Sequence, residues 1–144
     1  MRRLGKINNQ NGAALVEFAI VLPLLLMLIF GMIEFSVMLY DKAMLTNATR
    51  EGARLGILYN SPDRITEDQI TQTINGYLQN NLISFDGNAD WSYLPPDTPL
   101  VTCTDSDMLT VSITYPYKFL VLPNFITSLA PTLTLGATTT MRCE

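Results

Sequence analysis

Gly12-Ala13-Ala14-Leu15-Val16-Glu17-Phe18 opens an apolar run that lasts to Ile33, and the reading of this stretch decides the fold. Residues 13–33 number 21, and Glu17 is the only charge among them. As an α-helix rising 1.5 Å per residue the run spans about 31 Å, close to the hydrocarbon thickness of a bilayer. Ahead of it lies MRRLGKINNQNG, polar and basic, with Arg2, Arg3 and Lys6 the only charges before Glu17. Without those three the chain carries 6 basic against 13 acidic residues, a net of -7. Basic residues before the run and acids after it place the N-terminus in the cytoplasm and the rest across the membrane. The run is longer than the apolar region of a secretory signal, and no A-x-A-like site follows it, so it reads as a retained anchor.

A length of 144 residues allows one domain plus one membrane segment. Hydrophobic residues make up 48% and charged residues 15%, with much of the apolar share near the N-terminus. The net charge of -4 argues against a general nucleic-acid-binding surface. There is no histidine, which removes the commonest general acid/base and the commonest metal ligand together. Cys103 and Cys143 have no CxxC or histidine partner, so no zinc site is expected. Both lie in the part placed outside the cytoplasm, where an oxidising compartment favours a disulfide between them. Two free, half-buried thiols are the alternative.

The helical pattern continues past the membrane. Phe35, Met38, Leu39, Leu45, Ala48 and Leu55 keep one face apolar, and Asp41, Lys42, Asn47, Arg50, Glu51 and Arg54 fill the other. One helix over 13–58 would be about 69 Å long, embedded in its first half and amphipathic in its second. Pro23 leaves the carbonyl of Ala19 without its usual partner and predicts a bend. Tyr59-Asn60-Ser61-Pro62-Asp63 is a turn by composition. Thr66-x-x-Gln69 fits a capping box, with Glu67 and Asp68 suited to the first turn, so a second helix starts near Thr66. Ile70, Ile74, Leu78 and Leu82 give it an apolar stripe for packing on a following sheet, and Gly76 weakens its middle. Residues 85–99 read as a loop carrying the only tryptophan, Trp91. Residues 100–103 are a short strand signal, residues 109–115 alternate apolar and polar, and residues 133–141 form a second β-rich run. Residues 117–129 between these runs are apolar and broken by Pro123, which suits a loop or a short helix.

The fold class that follows is α+β: a long N-terminal helix, transmembrane then amphipathic, and a small head with one helix on a short antiparallel sheet. The segments are a cytoplasmic leader over 1–12, the helix over 13–58, and an extracytoplasmic head over 59–144.

Gly12 and Ala13 put small residues at the cytoplasmic edge of the membrane helix, where a membrane-embedded peptidase could cut, leaving Glu17 fifth in the mature chain. A carboxylate in hydrocarbon costs at least about 2.5 kcal/mol even on lenient insertion scales. Glu17 therefore either pairs with a cation, for which a neighbouring subunit's new amine at Ala13 is suited, or snorkels to the cytoplasmic interface. Further along, Arg50 and Arg54 share a helix face, and Glu51 can pair with Arg54. Gly52 and Ala53 let another backbone come close there, which suits a subunit contact or a docking surface for the head. A solvated, charge-paired helix end is the plainer account. Asp105 and Asp107 lack the ligands to complete a calcium cage and read as turn residues. Asn47-Ala48-Thr49 matches a glycosylation acceptor but lies on a helix. No catalytic residue, cofactor, metal or small-molecule substrate is expected.

Gly12, Ala13 and Glu17 ahead of an apolar run resemble the type IV prepilin-like cleavage pattern. More specifically, Gly12-Ala13-Ala14-Leu15-Val16-Glu17-Phe18-Ala19 with Pro23, followed by Arg50-Glu51-Gly52-Ala53-Arg54, resembles the TadE-like proteins of the tight-adherence (Flp) pilus system. Val111 to Tyr117 and the ending from Thr139 to Glu144 are similar as well. The resemblance implies a pseudopilin or minor pilin-like subunit of the bacterial inner membrane, cut by a prepilin peptidase between Gly12 and Ala13 and partnered by other pilin or pseudopilin subunits. Glu17, Arg50, Glu51 and Arg54 are its candidate assembly residues. The alternative is an unprocessed single-pass protein whose head binds a ligand or wall component.

Overall fold

The computed structural model describes residues 10–58, 65–83, 92–93, 103, 108–119 and 133–143. Its class is α+β. Helix α1 runs over Gln10–Gly56 and α2 over Glu67–Asn81. The strands are β1 over Ser92–Tyr93, β2 over Met108–Tyr117 and β3 over Leu133–Arg142, in the sheet order β1-β2-β3. Both strand pairings are antiparallel. Helix α1 continues through Pro23. Its first half, from Leu15 to Ile33, exposes nearly every large apolar side chain and is long and apolar enough to cross a membrane.

The local signals that start each element are visible. At the start of α2 the Thr66 N–H donates to Gln69 Oε1 at 2.9 Å, closing the capping box, and Glu67 and Asp68 occupy the first turn. Strand β2 alternates strictly, burying Leu109, Val111, Ile113, Tyr115 and Tyr117. Strand β3 buries Leu135 and Ala137 opposite Tyr115 and Ile113. On the outer face Thr110 pairs with Thr140, and Ser112 with Thr138, through hydroxyl bonds of 2.9 Å.

Three features differ from the expectation. The buried stripe of α2 rests chiefly on α1 rather than on the sheet: Ile70 and Ile74 lie over Gly52, and Ile70 and Leu109 of the sheet both lie over Gly56. Strand β1 falls inside the stretch expected to be loop, pairing Ser92 with Thr114 and Tyr93 with Ile113. Asp41, assigned by its polarity to the solvent face of α1, is fully buried, whereas Phe35 and Leu39 from the supposed buried face are exposed. The periodicity of α1 explains the last point. Glu34, Asp41, Leu45, Ala48, Gly52 and Gly56 recur at spacings of three, four or seven and form one stripe. The head covers that stripe, acids included. Of the short strand signal at 100–103 only Cys103 is described, and it sits in a turn. The apolar stretch over 120–132 lies outside the described residues.

The sheet lies lengthwise along the second half of α1. Leu109 meets Gly56, Thr139 bonds Thr49, Lys42 Nζ donates to the Gly136 carbonyl, and Tyr117 bonds Glu34. Moving down the helix from 56 to 34 thus moves along β2 from 109 to 117. Over this stretch the helix rises about 33 Å and the strand about 26 Å. Burial of Leu45, Ile70, Ile74, Leu78, Leu109, Val111 and Ile113 in the shared core fastens the two together, each large side chain contributing about 1.5–3 kcal/mol.

Candidate functional site

Gly12, Ala13 and Glu17 lie in the first turns of α1, all exposed, and among the described residues nothing approaches a Cβ built on Gly12 within 4 Å. Arg50 and Arg54 are exposed far along the same helix, about 50 Å from Glu17 by helical rise. The junction and the Arg50–Arg54 motif are therefore separate sites on one rod.

At the second site Glu51 and Arg54 form a two-pronged ion pair, with Arg54 Nη2 at 2.8 Å and Nε at 3.1 Å from the two carboxylate oxygens. The Arg54 guanidinium holds the Glu51 carboxyl below the usual carboxylate range. The pair is exposed and adds little to stability. Gly52 and Ala53 of the same motif are buried against the chain's own head. A Cβ on Gly52 would stand 2.8 Å from both Cδ1 and Cγ1 of Ile74, and one on Gly56 would overlap Leu109. The close approach made possible by the small residues is thus to α2 and β2, while the charged members of the motif remain on the outer surface.

Sequence reasoning missed a polar set inside the head-facing stripe. Tyr117 Oη donates to Glu34 Oε1 at 2.7 Å, and Glu34 is only 4% exposed. Seven residues on, Asp41 Oδ1 accepts the Ile83 N–H at 3.0 Å, just past the end of α2. These two acids pin the end of β2 and the exit of α2 onto α1. The signal that could have revealed them is their spacing, two helical turns apart and in phase with Leu45 and Ala48. Desolvation, reinforced by the bond to Glu34, pushes the Tyr117 hydroxyl well above its ordinary range. Tyr117→Phe removes the donor and leaves a buried carboxylate short of a bond. It is expected to cost about 1.5–3 kcal/mol of head stability, read from chemical denaturation.

Asp41 carries a pH dependence. Its Oδ2 is buried with no hydrogen-bond partner among the described residues. Burial raises its carboxyl above the ordinary value, and the Ile83 N–H offsets part of that rise. A carboxyl raised by folding stabilises the fold fully below its unfolded value, and that contribution is lost as pH rises through the folded value. Asp41→Asn keeps an oxygen for Ile83 and cannot ionise. The variant is expected to show a flatter stability profile than the parent as pH rises through and above the ordinary carboxylate range. Parallel profiles in the two proteins would contradict this.

Cys103 and Cys143 form the disulfide, with Cα atoms 5.7 Å apart, joining the turn ahead of β2 to the residue after β3. Cys103 Sγ also lies 3.7 Å from the Gly56 carbonyl, so the staple sits at the Gly56 end of the head. Asp105, Asp107 and Trp91 lie outside the described residues. In the Asn47-Ala48-Thr49 stretch Thr49 is buried and bonded to Thr139 at 2.9 Å. Among the described residues no group of three or more metal-ligating side chains is assembled.

Residues 12–54 match the family model described as TadE-like protein. The N-terminal region is TadE-like. The match starts at the Gly12 junction, covers the apolar run and ends on Arg54, the last residue of the charged motif. A TadE-like region implies a membrane protein associated with the Tad pilus and with its other components. Among the described residues one helix is long and apolar enough to cross a membrane, which is consistent with a single-pass membrane protein. No curated protein and no solved structure gives a significant match.

Proposed function

We propose that this TadE-like chain is a membrane-anchored pseudopilin that serves assembly of a Tad (Flp) pilus. It is cut by a prepilin peptidase between Gly12 and Ala13, leaving a mature helix that stands in the bacterial inner membrane with the head outside. The observation that carries this reading is the family match over 12–54, which takes in the junction, Glu17 and the Arg50–Arg54 motif together. Gly12 and Ala13 are exposed, which supports access by a peptidase, and the exposed apolar half of α1 supports packing in lipid. In this role the chain catalyses nothing. Glu17 meets the amine of a neighbouring pilin or pseudopilin subunit, and Arg50 with the Glu51–Arg54 pair presents a charged contact for another.

The test is complementation. In a strain lacking the chain, the parent sequence restores surface pili, whereas Glu17→Leu is cut normally and restores few or none. Pili formed in full without the chain would refute the assembly role. An unprocessed single-pass protein with a ligand-binding head makes a different prediction: replacing Gly12 leaves both its size and its function unchanged.

A further inference from the structure

We infer that the Tyr117 end of the head is seated in the lipid headgroup layer, so that the bilayer surface is itself a binding partner of the head. The inference rests on the membrane reading of α1 and adds a contact to it. Three observations place that end at the surface.

The first is depth. Tyr117 Oη reaches both the carboxylate and, at 3.5 Å, the backbone carbonyl of Glu34, which directly follows the apolar run over 13–33. The ladder of contacts from Gly56 to Glu34 fixes the direction of β2, which points towards the membrane. The headgroup region adds about 5–7 Å on each side of the hydrocarbon, or three to five residues of helix. Glu34 falls within that interval, and so do the Tyr117 ring and the start of β3 at Leu133, its register partner.

The second is side-chain chemistry. Tyr115, Tyr117 and Phe119 form an edge-to-face series, with centroids 6.5 Å and 5.7 Å apart, that runs towards the membrane. Phe119 lies two residues past the end of β2, and exposed Lys118 stands between it and Tyr117. Tyr115 and Tyr117 are buried within the head, so partly buried Phe119 and exposed Lys118 are the ring and the cation that this end offers to an interface where hydrocarbon gives way to phosphate. The opposite end of the sheet differs, with Met108, Arg142 and the disulfide lying by Gly56 some 33 Å up the helix by its rise.

The third is continuity. On α1, Phe35 is 56% exposed directly beside Glu34, so the apolar surface of the span continues past the last residue of the run. Glu34 would carry a charge into this layer, but the head buries it and supplies Tyr117 as its donor. The head thus shields the one acid at the boundary and rests on the layer that surrounds it.

The experiment uses the full chain in vesicles of phosphatidylethanolamine and phosphatidylglycerol, with Trp91→Phe as background. Single tryptophans are introduced as Phe119→Trp, Lys118→Trp, Thr110→Trp and Leu25→Trp, and formation of the Cys103–Cys143 bond confirms folding of each. Phe119→Trp and Lys118→Trp are expected to lose most of their emission to lipids brominated high on the acyl chain, and little to aqueous iodide. Thr110→Trp is expected to show the reverse, and Leu25→Trp to be quenched by lipids brominated near the chain end. Iodide quenching at both 118 and 119, with Leu25→Trp still quenched from the bilayer centre, would overturn the seat and leave the membrane anchor intact. Loss of lipid quenching at Leu25→Trp as well would overturn the anchor and the seat together.

Discussion

Replacing Cys103 and Cys143 with serine is expected to lower the unfolding free energy of the head by about 4 kcal/mol, the chain-entropy value for a loop of this size. The bond closes a loop with a sequence separation of 40, and that loop contains both long strands. Without it the ends of β2 and β3 nearest Gly56 keep the Leu109–Met141 and Met108–Arg142 pairings and the packing of Leu109 on Gly56. A domain of this size has about 5–15 kcal/mol to lose, so the double variant should melt far earlier than the parent. Denaturation of the folded chain in detergent, followed by circular dichroism with and without reductant, measures the difference. Equal midpoints would show that the staple holds nothing the packing does not already hold.

A second large effect is expected at Gly52. The space above this glycine is filled by Ile74, so Gly52→Leu must displace α2 from α1 or move the helix backbone. Overpacking of this kind costs about 1–3 kcal/mol and sometimes more, and a leucine at the centre of the contact belongs at the upper end. Ile74→Ala costs about 2–5 kcal/mol by leaving a cavity in the same place. The two changes are complementary in volume. Their combination should therefore cost less than their sum by about 0.5–3 kcal/mol, a coupling that only residues in contact display. Strict additivity would place Ile74 away from Gly52 and contradict the packing of α2 on α1.

Much of this architecture can be read from residue order, and the failures have physical causes. The membrane segment, the Thr66–Gln69 start of α2 and the alternation of β2 are all local patterns. Each is set by the chemistry of a few neighbouring residues. Local pattern also says that Ile70, Ile74 and Leu78 share a buried face, but not which surface covers it. That required knowing that Gly52 and Gly56 leave a groove on α1. Asp41 is buried against the expectation from its polarity because helical phase puts it in line with Leu45 and Ala48. The two-residue strand at Ser92–Tyr93 is created by its pairing with β2 and has no signal of its own. For the candidate sites, the Cys103–Cys143 bond followed from compartment and the Glu51–Arg54 pair from spacing. The Glu34–Tyr117 bond joins residues 83 positions apart and could not be found from either partner alone.

The central claim is that the chain is a pilin-like subunit made mature at the Gly12–Ala13 junction. N-terminal sequencing of the protein, purified through a C-terminal tag from cells that contain the prepilin peptidase, tests it most directly. The account predicts a chain beginning at Ala13, with Glu17 at its fifth position. A chain that still begins at Met1 in those cells would contradict it.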